Sequence, residues 1–323
     1  MIIVTGGAGF IGSAVVSYLN QKGINNIIIV DNLGKTEKWK NLVGKRYLKY
    51  LHKDDFFDAM DDVFEIEVPE AIIHLGACSA TTELDADYLY SNNTDFSWRL
   101  VEWADYYKVR VIYASSAATY GDGSQGYSDD HKKLYDLHPL NMYGYSKHIF
   151  DQFAYQSKLL KRICGLKFFN VYGPNEYHKG SMTSVVYNAF CQIKEKGKVE
   201  LFKSYHPDYA DGEQKRDFVY VKDVAKMIYW LLKNPNINGI YNVGSGIARS
   251  WNDLAKAVFQ ALELDAKIEY IDMPGHLKGK YQYFTKAKNS KIIKAGWKDG
   301  FSSLEDGVKD YVQNYLVKDK RVY

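Results

Sequence analysis

Short apolar runs alternate with longer amphipathic stretches through the first half of the chain. Ile2–Thr5, Ile27–Asp31, Ala71–Leu75, Val109–Ser115 and Ile163–Asn170 are four to eight residues long and rich in Ile and Val. They show little polar–apolar alternation, which predicts parallel strands buried on both faces. Between them Ile11–Lys22, Tyr88–Lys108 and Tyr143–Lys161 are long enough for helices. Such strand–helix alternation predicts an α/β fold with a doubly wound parallel sheet.

After Asn170 the pattern changes. Val171–Met182 carries Gly173, Pro174 and Gly180, and Ser204–Gln214 is polar and turn-rich, so both read as loops. A short strand over Asp217–Val221, a helix over Val224–Leu232, a strand ending at Gly244, a helix from about Asn252 and a last helix over Ser303–Leu316 are expected. This organises the chain as a dinucleotide-binding-type domain over 1–170 and a smaller, discontinuous C-terminal α/β domain over 171–323. About 215–245 is expected to return to the first.

Composition narrows the function classes. The 323 residues carry 42 Lys+Arg against 39 Asp+Glu, a net charge of +3, too balanced to advertise nucleic acid or an anionic membrane. Apolar residues at 46% and charged residues at 25% are ordinary globular values. Cys78, Cys164 and Cys191 lie far apart, which argues against a disulfide framework and a structural zinc site. No His/Asp/Glu cluster has metal-ligand spacing, and His74, in a predicted buried strand, reads as a hydrogen-bonded structural histidine. No apolar run reaches the ~18 residues of a membrane span, and the chain opens directly on Met1–Thr5, so a soluble cytoplasmic protein is expected. The 28 tyrosines suit a wet cleft, although composition alone does not place them.

Thr5-Gly6-Gly7-Ala8-Gly9-Phe10-Ile11-Gly12 follows the first predicted strand and opens the first helix. Glycines at 6, 9 and 12 permit a tight turn, close backbone approach to a pyrophosphate and close helix–sheet packing. The helix N-terminus then offers unpaired N–H groups to the phosphates. Asp31 ends the second strand at the position of a ribose-binding carboxylate, completing a Rossmann-type dinucleotide site. Asp31 by itself favours NAD. Lys35, Lys38, Lys40 and Lys53 could instead accommodate a 2′-phosphate and favour NADP, or form a solvated face; charge alone leaves the two cofactors even.

Tyr143 and Lys147 form a Tyr-x-x-x-Lys pair, placed on one helix face by their i, i+4 spacing. An ammonium one turn away is expected to lower the phenol pKa toward use as a base. Ser116, at the end of the fifth predicted strand, lies at the carboxyl edge where such sheets bind ligands, and can hold a substrate oxygen. Tyr145 has Ile149 as its i+4 partner and gains no cation.

The glycine loop, the strand-end serine and Tyr-x-x-x-Lys together resemble the extended short-chain dehydrogenase/reductase superfamily of nucleotide-sugar epimerases and dehydratases. Gly76–Glu83 (GACSATTE), Phe169–Pro174 (FNVYGP), His178–Met182 (HKGSM) and Leu277–Gln282 (LKGKYQ) resemble, more narrowly, the ADP-L-glycero-D-manno-heptose 6-epimerases. The resemblance implies C6″ epimerisation through a transient 6″-ketone, in the supply of heptose for the lipopolysaccharide inner core. It implies Tyr143 and Lys179 as the two acid/base groups, because each face of the carbon needs its own. It implies cofactor contacts at Phe10, Ile11, Asp31, Asn32, Lys38, Lys53, Leu75, Gly76, Ala77, Cys78, Ser79, Asn92, Lys147 and Val171, and tips the cofactor to NADP. Implied nucleotide-sugar contacts are Ser116, Asn170, Lys179, Ser181, Asn188, Phe202, Arg216 and Tyr281. The planar fork of Arg216 suits a diphosphate; the alternative is a surface ion pair with Asp217. A homo-oligomer, a pentamer by the resemblance, is also implied.

Departures touch the substrate half. Asn175 and Asn188 stand where the family suggests Arg and His, and Ser204–Gln214 is longer than expected. Rival readings are another nucleotide-sugar enzyme, such as a hexose 4-epimerase or a 4,6-dehydratase, and a non-catalytic dinucleotide sensor. A dehydratase would usually show an Asp-Glu pair where Ala117-Ala118 stand, and a sensor should have lost Tyr143 or Lys147.

Overall fold

The computed structural model describes residues 1–64, 68–275, 281–319 and 322–323; the LKGK part of the 277–282 string lies outside them. Strands β1 (Ile2–Thr5), β2 (Ile27–Asp31), β3 (Lys49–His52), β4 (Ala71–His74), β5 (Arg110–Ser116), β6 (Ile163–Phe168) and β10 (Gly239–Val243) form one parallel sheet in the order β10-β6-β5-β4-β1-β2-β3. β1, β2, β4, β6 and β10 are buried along their whole length, as their unbroken apolar runs require. Helix α1 (Phe10–Gln21) lays Val15, Val16 and Leu19 into the core on one face of the sheet. Helix α7 (Val221–Lys233) packs beside it, burying Val224, Met227, Ile228 and Leu231, a 3.6-residue stripe. On the other face lie α2 (Phe56–Phe64), α4 (Phe96–Tyr106) and α5 (Met142–Gln156), around Phe56, Leu100, Val101, Phe150 and Ala154.

A second core lies around α6 (Val185–Lys196), α8 (Trp251–Ala261) and α10 (Leu304–Tyr311). It is covered by a small sheet, β11-β9-β7, of β7 (Asn170–Tyr172), β9 (Lys215–Tyr220) and β11 (Ala248–Ser250). A parallel pair joins β8 (Val199–Phe202) and β12 (Ile268–Ile271). The segment expected to return to the first sheet therefore divides: α7 and β10 return, whereas β9 joins the small sheet. The expected strand 163–170 also divides, because Phe169 donates its N–H to the Val243 carbonyl and the chain turns there into β7.

Several elements went unforeseen, among them β3, α2, α6, β8, β11 and β12. β3 is an edge strand with only Leu51 buried, so it lacks an apolar run. α2 is short and acidic. The expected helix 88–108 is three pieces: α3 (Ala86–Leu89), a π-helical turn (Tyr90–Asp95) and α4. Asn93 in that turn accepts from the Cys78 N–H at 2.8 Å and donates to the Cys78 carbonyl and to Ser146 on α5, each at 3.0 Å. The widened turn thus anchors the 76–79 loop to α5.

His74 is buried, with Nδ1 2.6 Å from Thr5 Oγ1 and Nε2 2.8 Å from Ser97 Oγ. Burial first, and then the Lys147 charge, push its pKa down to about 3. The unfolded chain therefore takes up a proton here below about pH 6.5 that the folded chain refuses, so stability falls as pH drops. We expect the loss of unfolding free energy between pH 6 and pH 4 to be shallower in His74→Asn than in wild type, by about 1.4 kcal/mol per pH unit. Urea melts at the two pH values check this; equal slopes would remove His74 from the acid response.

Candidate active site

Strand order reverses between β1 and β4, and open α/β sheets bind ligands in the crevice at the carboxyl edge of such a switch point. The loop after β1 turns at Gly6, whose φ is +67°; a Cβ there would stand 2.7 Å from the Gly76 nitrogen. A Cβ on Gly12 would overlap the Gly6 carbonyl oxygen. Gly9 caps α1 with no side-chain bond, so the first N–H groups of the helix stay available to an anion. The glycines thus form a cradle that side chains would fill, as a dinucleotide pyrophosphate needs. Gly12→Ala is expected to weaken dinucleotide binding by about tenfold or more by wedging loop from helix, read by calorimetric titration; unchanged affinity would remove the close approach from the argument.

A cavity of about 310 Å³ opens there, lined by Gly6, Gly9, Phe10, Ile11, Gly12, Asp31, Lys38, Leu75, Gly76, Ala77, Ser79, Ser116, Tyr143, Lys147, Val171 and Lys179. A neighbouring cavity of about 190 Å³ is walled by Asp31, Asn32, Lys38, Lys53, Cys78 and Asn92, together with Tyr88 and Phe96. Every expected cofactor residue lies on one or the other. Tyr88 and Phe96 were not foreseen, although their i±4 spacing about Asn92 places them on one face. Asp31 is buried and already engaged: Oδ2 accepts from the Ala8 N–H at 2.8 Å, and Oδ1 from the Asn32 N–H at 2.7 Å and Lys38 Nζ at 2.5 Å.

Ser116 ends β5 and Tyr143 opens α5 behind the Asn141 cap, and both line the cavity side by side. Tyr145 points to solvent, 57% exposed. The phenol does not move as the Tyr-x-x-x-Lys spacing led us to expect. Burial dominates and raises the Tyr143 pKa, the Ser116 side chain pulling against it. The effect falls on Lys147 instead, which burial pushes down to about 8, against the opposing pull of Asp151 and Cys78.

Lys179 lies in a 3-10 turn (Tyr177–Met182), with Nζ 5.4 Å from the Phe10 ring centre. Burial lowers its pKa and the Glu176 carboxylate raises it. It lines the dinucleotide cavity and also a third cavity of about 260 Å³, with Asn170, Val171, Thr183, Ser184 and Trp251. His178, unforeseen as a wall residue, lines the first cavity and lies 3.2 Å from Asn41 Nδ2. Asn41 also donates to the carbonyls of Ala8 and Asn175, tying the Lys179 turn to the glycine loop.

Arg216 is 7% exposed and is not paired with Asp217. The Asp217 carboxylate instead accepts from Ser245, Gly246 and Ala287. The Arg216 guanidinium lies 5.6 Å from the Trp251 ring and 5.3 Å from the Tyr281 ring, and bonds the carbonyls of Lys215 and Gln282. Held by rings and carbonyls, its charge is suited to an anion. Five expected substrate residues, Arg216 and Tyr281 among them, do not line these cavities. Ser181 faces solvent, Asn188 is bonded to Thr183, and Phe202 sits at the end of β8. Asn175, the other departure, is buried at φ +77° and bonds Ser13, so it is structural. The Ser204–Gln214 segment packs His206 and Tyr209 on Tyr283, beside Tyr281. Among the described residues no group of three His, Cys, Asp or Glu could hold a metal ion.

A switch-point cleft, a glycine cradle and a Ser–Tyr–Lys cluster define a nicotinamide-dinucleotide enzyme of the short-chain dehydrogenase/reductase type. Residues 2–244 match the model of the NAD dependent epimerase/dehydratase family, and the chain belongs to that family. It is 57% identical over 320 residues to the ADP-L-glycero-D-manno-heptose-6-epimerase of Nitratidesulfovibrio vulgaris, covering 98% of both chains. It is 50% identical to the enzyme of that name from Fusobacterium nucleatum, covering 99% of both. The crystal structure of the Helicobacter pylori ADP-L-glycero-D-manno-heptose-6-epimerase superposes with a TM-score of 0.82 at 30% identity, covering 97% of this chain and 95% of that one. A Thermotoga maritima UDP-glucose 4-epimerase superposes at 0.79, with 27% identity and coverage of 98% and 99%.

Proposed function

We propose that the chain interconverts ADP-D-glycero-β-D-manno-heptose and its L-glycero epimer at C6″, using NADP, in lipopolysaccharide heptose supply. The observation that carries this reading is that Tyr143 and Lys179 line one cavity, with Lys179 also on the wall of the next. A dinucleotide held by the glycine loop, Asp31 and the 75–79 loop would supply reversible hydride acceptance from the sugar carbon. The protein's task is the proton on the hydroxyl oxygen. Ser116 orients that oxygen, Tyr143 exchanges the proton from one face, and Lys179 does so from the other after rotation about the exocyclic C5″–C6″ bond. Arg216 anchors the diphosphate. A hexose 4-epimerase reading has comparable fold support, but the HKGSM turn that places Lys179 favours the heptose reading.

The charge arrangement around Asp31 supports the choice of NADP. Lys38 neutralises Asp31, so the carboxylate does not stand alone against a 2′-phosphate, and Lys53 faces the same cavity. Lys38→Ala with Lys53→Ala is expected to weaken NADP binding by roughly tenfold more than NAD binding; equal losses in titrations of the two would mean the lysines do not read the phosphate. Among the described residues no helix is long and apolar enough to cross a membrane. We read the active form as a cytoplasmic homo-oligomer, which light scattering tests.

The test of the function is to give the purified protein the D-glycero nucleotide sugar and follow the two epimers by NMR. A mixture with no net change in NADPH supports the reading. No conversion, with NADP binding verified, moves it to another nucleotide sugar.

A further inference from the structure

Behind Tyr143 and Lys147 lies a buried charged cluster that the reaction above does not use. Asp151 follows Lys147 by one turn of α5 and is fully buried. Its Oδ1 accepts from the Tyr113 hydroxyl at 2.9 Å, and its Oδ2 from Ser115 and from Lys167 Nζ, each at 2.7 Å. Lys167, 1% exposed on β6, also donates to Thr119 Oγ1 at 2.5 Å and lies 5.0 Å from the Tyr120 ring centre. Thr119 in turn donates to the Ser116 carbonyl at 2.8 Å. One ion pair therefore connects the helix carrying Tyr143 and Lys147, the two strands behind it, and the turn that carries Ser116.

Such a pair needs a reason beyond stability. Two charges taken out of water seldom recover their hydration, and apolar residues of similar volume would hold the helix as well. Its place suggests the reason. The charged and titratable groups around Lys147 are Asp151 on its own helix, Cys78 on the loop after β4, and His74 on β4, while Tyr143, one turn earlier on the helix, lines the same cavity. Around Asp151 are Lys167, Tyr113, Tyr120, His131 and His148. Burial keeps all three histidines neutral near pH 7. That leaves Lys147, Asp151 and Lys167 as a line of alternating charge ending under Tyr143.

We propose that Asp151 and Lys167 are a positioning pair for the Tyr143–Lys147 dyad: Lys167 fixes the Asp151 carboxylate, and that carboxylate keeps the Lys147 ammonium charged and seated beneath the phenol. The inference rests on the dyad reading given under the proposed function.

The test uses the two charges in opposition. In the holoenzyme, kcat and KM are measured across pH for Asp151→Asn and Lys167→Gln. Removing the carboxylate should move the alkaline limb of kcat down by about one pH unit, and removing the distant cation should move it up, with KM for the nucleotide sugar changing less than about twofold. Tyrosinate absorbance, differenced against Tyr143→Phe, gives a readout independent of turnover: Tyr143 should ionise at higher pH in Asp151→Asn and at lower pH in Lys167→Gln. Asp151→Glu, which keeps the charge, should leave the limb in place, and with Lys167→Gln it decides the matter if Asp151→Asn does not fold. Limbs that stay put, or move the same way in both variants while rate follows thermal stability, overturn the inference and make the pair structural. A Tyr143→Phe enzyme with wild-type rate overturns the dyad itself, and the pair's role with it.

Discussion

Tyr143→Phe is expected to lower kcat by about 10²–10⁴-fold, the range lost when a positioned acid/base group is removed. The substitution deletes one oxygen. The ring keeps its place at the start of α5, where the Asn141 cap and the Asn93–Ser146 bond hold the helix without help from the phenol. The fold and the dinucleotide affinity should therefore be close to wild type. What is lost is the hydroxyl beside Ser116, on the wall of the cavity that the proposed reaction uses. Because burial raises the phenol pKa, the group is protonated at neutral pH, and the rate should climb with pH as its ionised fraction grows. NMR turnover with a parallel thermal melt checks both points. More than about a tenth of wild-type activity in a folded variant would assign the proton to another group.

Lys179→Met carries the second large effect, a fall in kcat of about 10²-fold or more in both directions of the reaction. Methionine keeps much of the length and the contact with Phe10 while removing the ammonium. If Lys179 only bound the diphosphate, KM would rise and kcat would be spared; if it exchanges the second proton, kcat falls with KM little changed. Burial lowers the Lys179 pKa from its ordinary value, the direction that eases its exchange of a proton. Interconversion of the two epimers is the sensitive assay, since it needs both faces of the carbon served.

The dinucleotide half was more legible in the sequence than the substrate half, for a physical reason. Backbone–phosphate approach leaves glycines at fixed intervals, and a buried parallel strand leaves an unbroken apolar run; both are local. Ser116, Tyr143 and Lys147 follow the same logic, because strand ends and helix turns fix their directions. The walls of the third cavity come from segments far apart in the chain, such as Asn170, Thr183 and Trp251, and no spacing announces them. Asn188 and Phe202 were placed on the substrate by likeness alone, and the local demands of a helix start and a strand end took them elsewhere. Arg216 shows the opposite case. Its neighbour Asp217 looked like a natural partner, but a strand sends successive side chains to opposite faces, and the carboxylate went to the backbone N–H groups of Ser245, Gly246 and Ala287.

The π-helical turn at Tyr90–Asp95 behaves as a phase shifter between two otherwise regular stretches of helix. Each residue of an α-helix advances the side-chain direction by about 100°. In a plain helix Tyr88 and Phe96, eight residues apart, would point about 80° apart, and the wider turn brings both onto one cavity wall. Straightening the turn at constant chain length would swing Tyr88 off that wall while Phe96 stayed on it; deleting one residue within the turn would let a plain helix run through with both left close to their places. The angular register of the wall is therefore encoded by one supernumerary residue together with the turn that absorbs it.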